Sequence, residues 1–126
     1  MSKFTAGGFR KSLSYALEGL SLAYKSQRNY RCHLLIGFIT FLAAILLNFK
    51  CIEYCVLILA IGFVITAELF NSVIEFTLDA YFKNRYSQLV KMAKDLSAGV
   101  VLIAAITSGL VGLMLFGRKI LLLLLY

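Results

Sequence analysis

The sequence predicts an all-α membrane protein: an N-terminal amphipathic surface helix followed by three transmembrane helices. Three observations carry this. Counting Gly and leaving out Tyr, about 63% of the 126 residues are apolar, against ~45–50% in soluble domains. The chain has no Pro to break a long helix. Its 13 Lys and Arg, against 6 Asp and Glu, gather around the apolar stretches rather than within them. The first observation excludes an ordinary soluble domain, and it excludes disorder, because the charges are too few to hold so apolar a chain open. The length fits one integral membrane domain over residues 1–126.

The surface helix is read over about residues 8–28. Phe9, Leu13, Ala16, Leu17, Leu20 and Tyr24 recur at steps of three and four, while Arg10, Lys11, Ser14, Glu18, Ser21, Lys25 and Arg28 take the other face. Such a helix lies in the interfacial plane of an anionic leaflet and does not cross it. The same mixed character argues against a secretory signal, since Glu18 and Lys25 interrupt what would be its apolar core.

The first span covers about residues 30–49. Its central run, Leu34–Phe49, is about 24 Å of helix, a little short of the ~30 Å hydrocarbon core, and extension back to Tyr30 lets it cross. The second covers about 51–82. At roughly 48 Å it exceeds the bilayer, so one end projects. The third covers about 88–116, with Ser87 as a plausible N-cap and a clean apolar stretch from Leu96. Leu121–Tyr126 is a leucine tail too short to cross again. Cys32, Cys51 and Cys55 show no metal spacing and read as small apolar packing residues. Tyr81, Phe82 and Tyr86 read as interfacial aromatics.

Positive charge orients the spans. Six Lys and Arg precede residue 32 and four lie in 83–94, whereas the first hairpin has only Lys50 and the C-terminus Arg118 and Lys119. The expectation is a multi-pass protein of the inner (cytoplasmic) membrane with its N-terminus in the cytoplasm and its C-terminus outside. The basic excess thus lies at membrane-flanking positions, and no nucleic-acid partner is expected.

Ionisable residues inside a membrane are costly, which makes them functional candidates. On the second span Asn71, Glu75 and Asp79 fall about −60°, −20° and +20° from Glu68, so the four share one helix face. Measured from Glu53, they climb from about 22 Å at Glu68 to about 39 Å at Asp79. This acidic stripe starts inside the cytoplasmic leaflet and ends in the cytosol. Lys91, Lys94 and Asp95 open the third span at the same level. Lysines and a helix start attract phosphate, and carboxylates hold a divalent cation or accept a proton, so the two sets together suit a magnesium nucleotide. A purely structural account pairs Glu68 with Lys94 as a buried ion pair that orients helices.

Glu68-Leu-Phe-Asn71-Ser-Val-Ile-Glu75-Phe-Thr-Leu-Asp79, with Lys94-Asp95-Leu-Ser-Ala-Gly-Val, resembles the two motifs of the small prokaryotic diacylglycerol kinase family. The segment from Gly19 to His33 is similar too, and Asn29-Tyr30-x-x-His33 looks like the variant of the undecaprenol kinase branch. The resemblance covers about Phe9 to Phe116. It implies ATP-dependent phosphorylation of a membrane lipid alcohol, diacylglycerol or undecaprenol, with Mg2+ as cofactor, by a homotrimer whose active sites are shared between neighbours at the cytoplasmic interface. The products would be phosphatidic acid or undecaprenyl phosphate. It also implies roles: Glu68 as general base supported by Asn71, Glu75 as metal ligand, and Asp79, Lys94 and Asp95 on the nucleotide. Tyr30 and Ser97 would meet the lipid alcohol beside Glu68. One position departs from the pattern. Gln27 stands where the family has a Glu that helps hold the metal, and it offers a neutral oxygen without charge, which predicts weaker metal affinity. Two other readings stand beside the kinase: a catalytically weak or inactive regulatory homologue, and a small membrane transport component. A transporter would place polar groups at the midplane around broken helices, and this stripe gathers at one end of an unbroken one.

Overall fold

In a computed structural model, which describes residues 8–83, 85 and 87–125, the chain forms four helices: α1 (Phe9–Ser26), α2 (Arg28–Leu46), α3 (Cys51–Phe82) and α4 (Gln88–Leu125). Lys3, Asn84, Tyr86 and Tyr126 lie outside the described residues. The last three helices are each long and apolar enough to cross a membrane. α4 runs without interruption through Leu125, beyond the end near residue 116 read from the sequence, because Gly117 and the Arg118-Lys119 pair extend it into the leucine tail without a breaker.

α1 presents Phe9, Leu13, Leu17 and Tyr24 outward and buries only Ala23. A shallow apolar cleft between α1 and α3, lined by Gly19, Leu20, Ala23, Leu69, Ser72 and Phe76, sets α1 beside the C-terminal half of α3. The elbow between α1 and α2 falls at Gln27, whose backbone is extended (φ −107°, ψ 112°). Arg31 closes that elbow: its Nη1 donates to the carbonyls of Tyr24 (2.8 Å) and Lys25 (3.1 Å), which have no intrahelical partner at the end of α1.

α3 packs chiefly on α4 and more lightly on α2. Gly37 of α2 lets Ile61 approach so closely that a Cβ there would meet Ile61 Cγ2 at 2.8 Å. Ser108 Oγ of α4 donates to the Ala60 carbonyl at 2.9 Å, an interhelical bond of the kind that substitutes for hydrophobic attraction in lipid. The far end is closed by Ala44, Phe49 and Leu57, with Tyr54 and Phe116 against them. There Glu53 accepts the Lys50 N–H at 2.7 Å, capping the start of α3, and pairs with Lys119 at 3.0 Å. Lys119 also donates to the Asn48 carbonyl, which lies in a turn where Asn48 takes a left-handed conformation (φ 50°).

Along the three long helices the outside of the chain is largely apolar, with large side chains such as Leu59, Leu102 and Leu113 exposed. The three cysteines are among the outward-facing residues, a correction to their reading as packing residues: where the surroundings are apolar, a small apolar side chain has no need of the core.

Candidate active site

The acidic stripe of α3 faces inward. Glu68 is 2% exposed, Asn71 6%, and Ser72 is buried with them, while Glu75 and Asp79 are half-buried toward the end of the helix. The i, i+3, i+7, i+11 spacing puts all four on one side of α3, and α4 meets it with Ser97 at Asn71 and Lys94 at Asp79.

The contacts form a ladder along this seam. At the C-terminal end of α3 Lys94 Nζ donates to Asp79 Oδ1 at 2.5 Å, and Lys91 pairs with Asp95 at 2.5 Å on the surface of α4. Asp79, Phe82, Arg85, Ser87, Lys91, Lys94 and Asp95 line an open cleft of about 520 Å³, with three cationic side chains around it. Deeper, Asn71 Nδ2 donates to Glu75 Oε1 at 3.1 Å, and Ser97 Oγ donates to Asn71 Oδ1 at 2.6 Å. Deepest is Glu68. Among the described residues no side chain donates a hydrogen bond to its carboxylate, and the charged or chargeable neighbours that act on it are His33 of α2 and Glu75. The structural pairing of Glu68 with Lys94 is therefore not formed; Lys94 is engaged by Asp79.

The remaining expected residues are placed as follows. Tyr30 is buried near the start of α2. Ser97 is buried at the α3–α4 seam. Gln27 sits at the α1–α2 elbow, half-buried, and among the described residues no hydrogen bond joins its side chain to Glu75. Among the described residues no three His, Cys, Asp or Glu side chains converge closely enough to hold a metal ion. Glu75 fits a magnesium ion that arrives with phosphate: one oxygen is held by Asn71, and magnesium is usually met by one or two carboxylates together with phosphate oxygens and water.

Sequence reasoning did not foresee the Glu53–Lys119 pair or the part played by Arg31. The first joins residues 66 positions apart, and the second needed the angle between α1 and α2; neither leaves a periodic signal.

Residues 14–116 match the family described as prokaryotic diacylglycerol kinase. The chain belongs to that family. It is 41% identical over 101 residues, 80% of its length, to a protein of Synechocystis sp. named diacylglycerol kinase, and 31% identical over 112 residues, 89% of its length, to a protein of Bacillus subtilis named undecaprenol kinase. The matched stretch spans 58% of the Synechocystis protein and 90% of the Bacillus one. The family match begins inside α1 and ends inside α4, so it takes in Glu68 to Asp79 of α3 and Lys91 to Ser97 of α4.

Proposed function

We propose that this chain transfers the γ-phosphoryl group of ATP to the hydroxyl of a membrane lipid alcohol, diacylglycerol or undecaprenol, at the cytoplasmic face of the inner membrane, yielding phosphatidic acid or undecaprenyl phosphate. The observation that carries this reading is the gradation of the α3 seam from a buried, undonated Glu68 through the Asn71–Glu75 pair to the open cationic cleft at Asp79 and Lys94.

The chemistry asks for little covalent participation by the protein. Phosphoryl transfer needs charge neutralisation on the phosphates, in-line positioning and a base near the attacking hydroxyl. Lys94, Lys91 and Arg85 around the cleft hold the nucleotide phosphates from the cytosolic side, with Asp79 and Asp95 orienting the two lysines. Glu75 presents a carboxylate to Mg2+ arriving with ATP; a cation there neutralises phosphate charge. Gln27 lends at most a neutral oxygen. Glu68 takes the proton of the lipid hydroxyl, and its depth matches an alcohol held at headgroup level. The apolar groove that starts at His33 and runs between α2, α3 and α4 past Gly37, Thr40 and Ser108 is a path for the lipid chain. The assembly in this reading is the homotrimer that the family resemblance implies, and the open cleft leaves room for a neighbouring copy to wall it.

The test is purified protein in detergent with radiolabelled ATP, offered undecaprenol and diacylglycerol side by side. Label in either lipid is the expected result. Transfer to neither lipid, in protein that remains helical, points to the second reading, an inactive homologue, which Gln27 in the place of a metal-holding carboxylate favours.

A further inference from the structure

Asn71 stands between two polar partners and has one donor end and one acceptor end to offer them. Its Nδ2 donates to Glu75 Oε1 at 3.1 Å, and its Oδ1 accepts from Ser97 Oγ at 2.6 Å across the α3–α4 seam. Asn71 and Ser97 are both buried, so neither can readily exchange its partner for water. An ionised carboxylate only accepts, so Glu75 must meet the NH2 end of the amide, and the amide oxygen then requires a donor of its own. Ser97 is the group that supplies it. Its hydroxyl carries one proton, and two acceptors lie within reach: Asn71 Oδ1, and the Lys94 carbonyl at 3.0 Å. The shorter contact is to Asn71. Remove that proton and the amide oxygen is buried without a donor, and nothing on the α4 side any longer holds the amide in the direction that serves Glu75.

We propose that Ser97 is a positioning residue whose hydroxyl fixes the direction of the Asn71 amide and, through it, the carboxylate orientation that Glu75 offers to a nucleotide-bound divalent cation. This rests on the reading of Glu75 as a metal ligand given above. In this role Ser97 has no proton to donate to the lipid, because its one hydroxyl proton is already committed inside the protein.

The test measures binding of Mn2+·ATP by electron paramagnetic resonance on the full chain in detergent, with no lipid acceptor added, beside lipid titrations of the phosphoryl-transfer rate. Ser97→Ala should weaken Mn2+·ATP binding about tenfold, the loss expected when a buried acceptor is orphaned, and leave the KM for lipid unchanged. In an Asn71→Ala background the same substitution should have no further effect, since the relay is already cut. A Glu75→Gln background gives the same result should Asn71→Ala fail to fold. Unaltered binding in Ser97→Ala, an undiminished effect in those backgrounds, or a raised lipid KM with unaltered binding each overturns the proposal. Wild-type protein that shows the binding pattern and phosphorylates neither lipid would sink the kinase reading and leave the relay standing; wild-type protein that binds no Mn2+·ATP removes both.

Discussion

Glu68 and Glu75 are seven residues apart on one helix face, and their surroundings assign them different work. Glu75 is half-buried with one oxygen tied to Asn71, a state suited to holding a cation. Glu68 is buried, with no side-chain donor on its carboxylate among the described residues, which leaves it free to accept a proton. Glu68→Gln keeps the shape and removes that capacity. Phosphoryl transfer should fall by about 10²–10⁴-fold, the usual contribution of a positioned base, while the elution volume and helical content of the purified protein stay as they were. Normal turnover in that variant would take Glu68 out of the base role. Gln27→Glu adds a charge at the α1–α2 elbow. The Mg2+ concentration giving half-maximal rate should drop several-fold, and an unchanged metal titration would place residue 27 away from the ion.

At the scale of elements, Lys83 and Gly37 make backbone and packing demands that substitution can test. Lys83 closes α3 in a left-handed conformation (φ 49°), its N–H bonded to the Asp79 carbonyl. A non-glycine residue there costs about 1–2 kcal/mol, and its charge recovers about 0.3–1 kcal/mol from the helix C-terminus. The strain is the larger quantity, so Lys83→Gly should raise stability by roughly 0.5–1 kcal/mol, seen as a higher midpoint of thermal unfolding in detergent. Gly37 works the other way. Ile61 occupies the space a side chain would need, so Gly37→Leu should force α2 away from α3 and cost about 1–3 kcal/mol, enough to lower that midpoint measurably.

For the whole molecule, the distribution of charge along the chain predicts an orientation with α1, Gln27 and the Asp79–Lys94 cleft in the cytoplasm and the Glu53–Lys119 pair outside. The native cysteines make this testable, because all three are exposed and they sit toward opposite ends of the spans. In single-cysteine variants a membrane-impermeant maleimide added to intact cells should label Cys51 and spare Cys32, with the pattern reversed in inverted vesicles. The opposite pattern would turn the topology over and move the cleft away from cytosolic ATP.

Much of this protein is legible in one dimension, for a physical reason. Bilayer thickness imposes helix length, lipid forbids unpaired backbone, and the 3.6-residue turn converts spacing into a shared face, so the three spans, the amphipathic α1 and the inward stripe Glu68–Asn71–Glu75–Asp79 all follow from local pattern. Angles and partners do not. Which cation meets Asp79, which hydroxyl meets Asn71, where Arg31 anchors the elbow, and how Glu53 reaches Lys119 each depend on how α1, α3 and α4 lie against one another. A sequence records what each helix can offer; only the packed bundle decides which offers meet, because hydrogen bonds and ion pairs act over a few ångströms and the residues that make them here lie up to 71 positions apart.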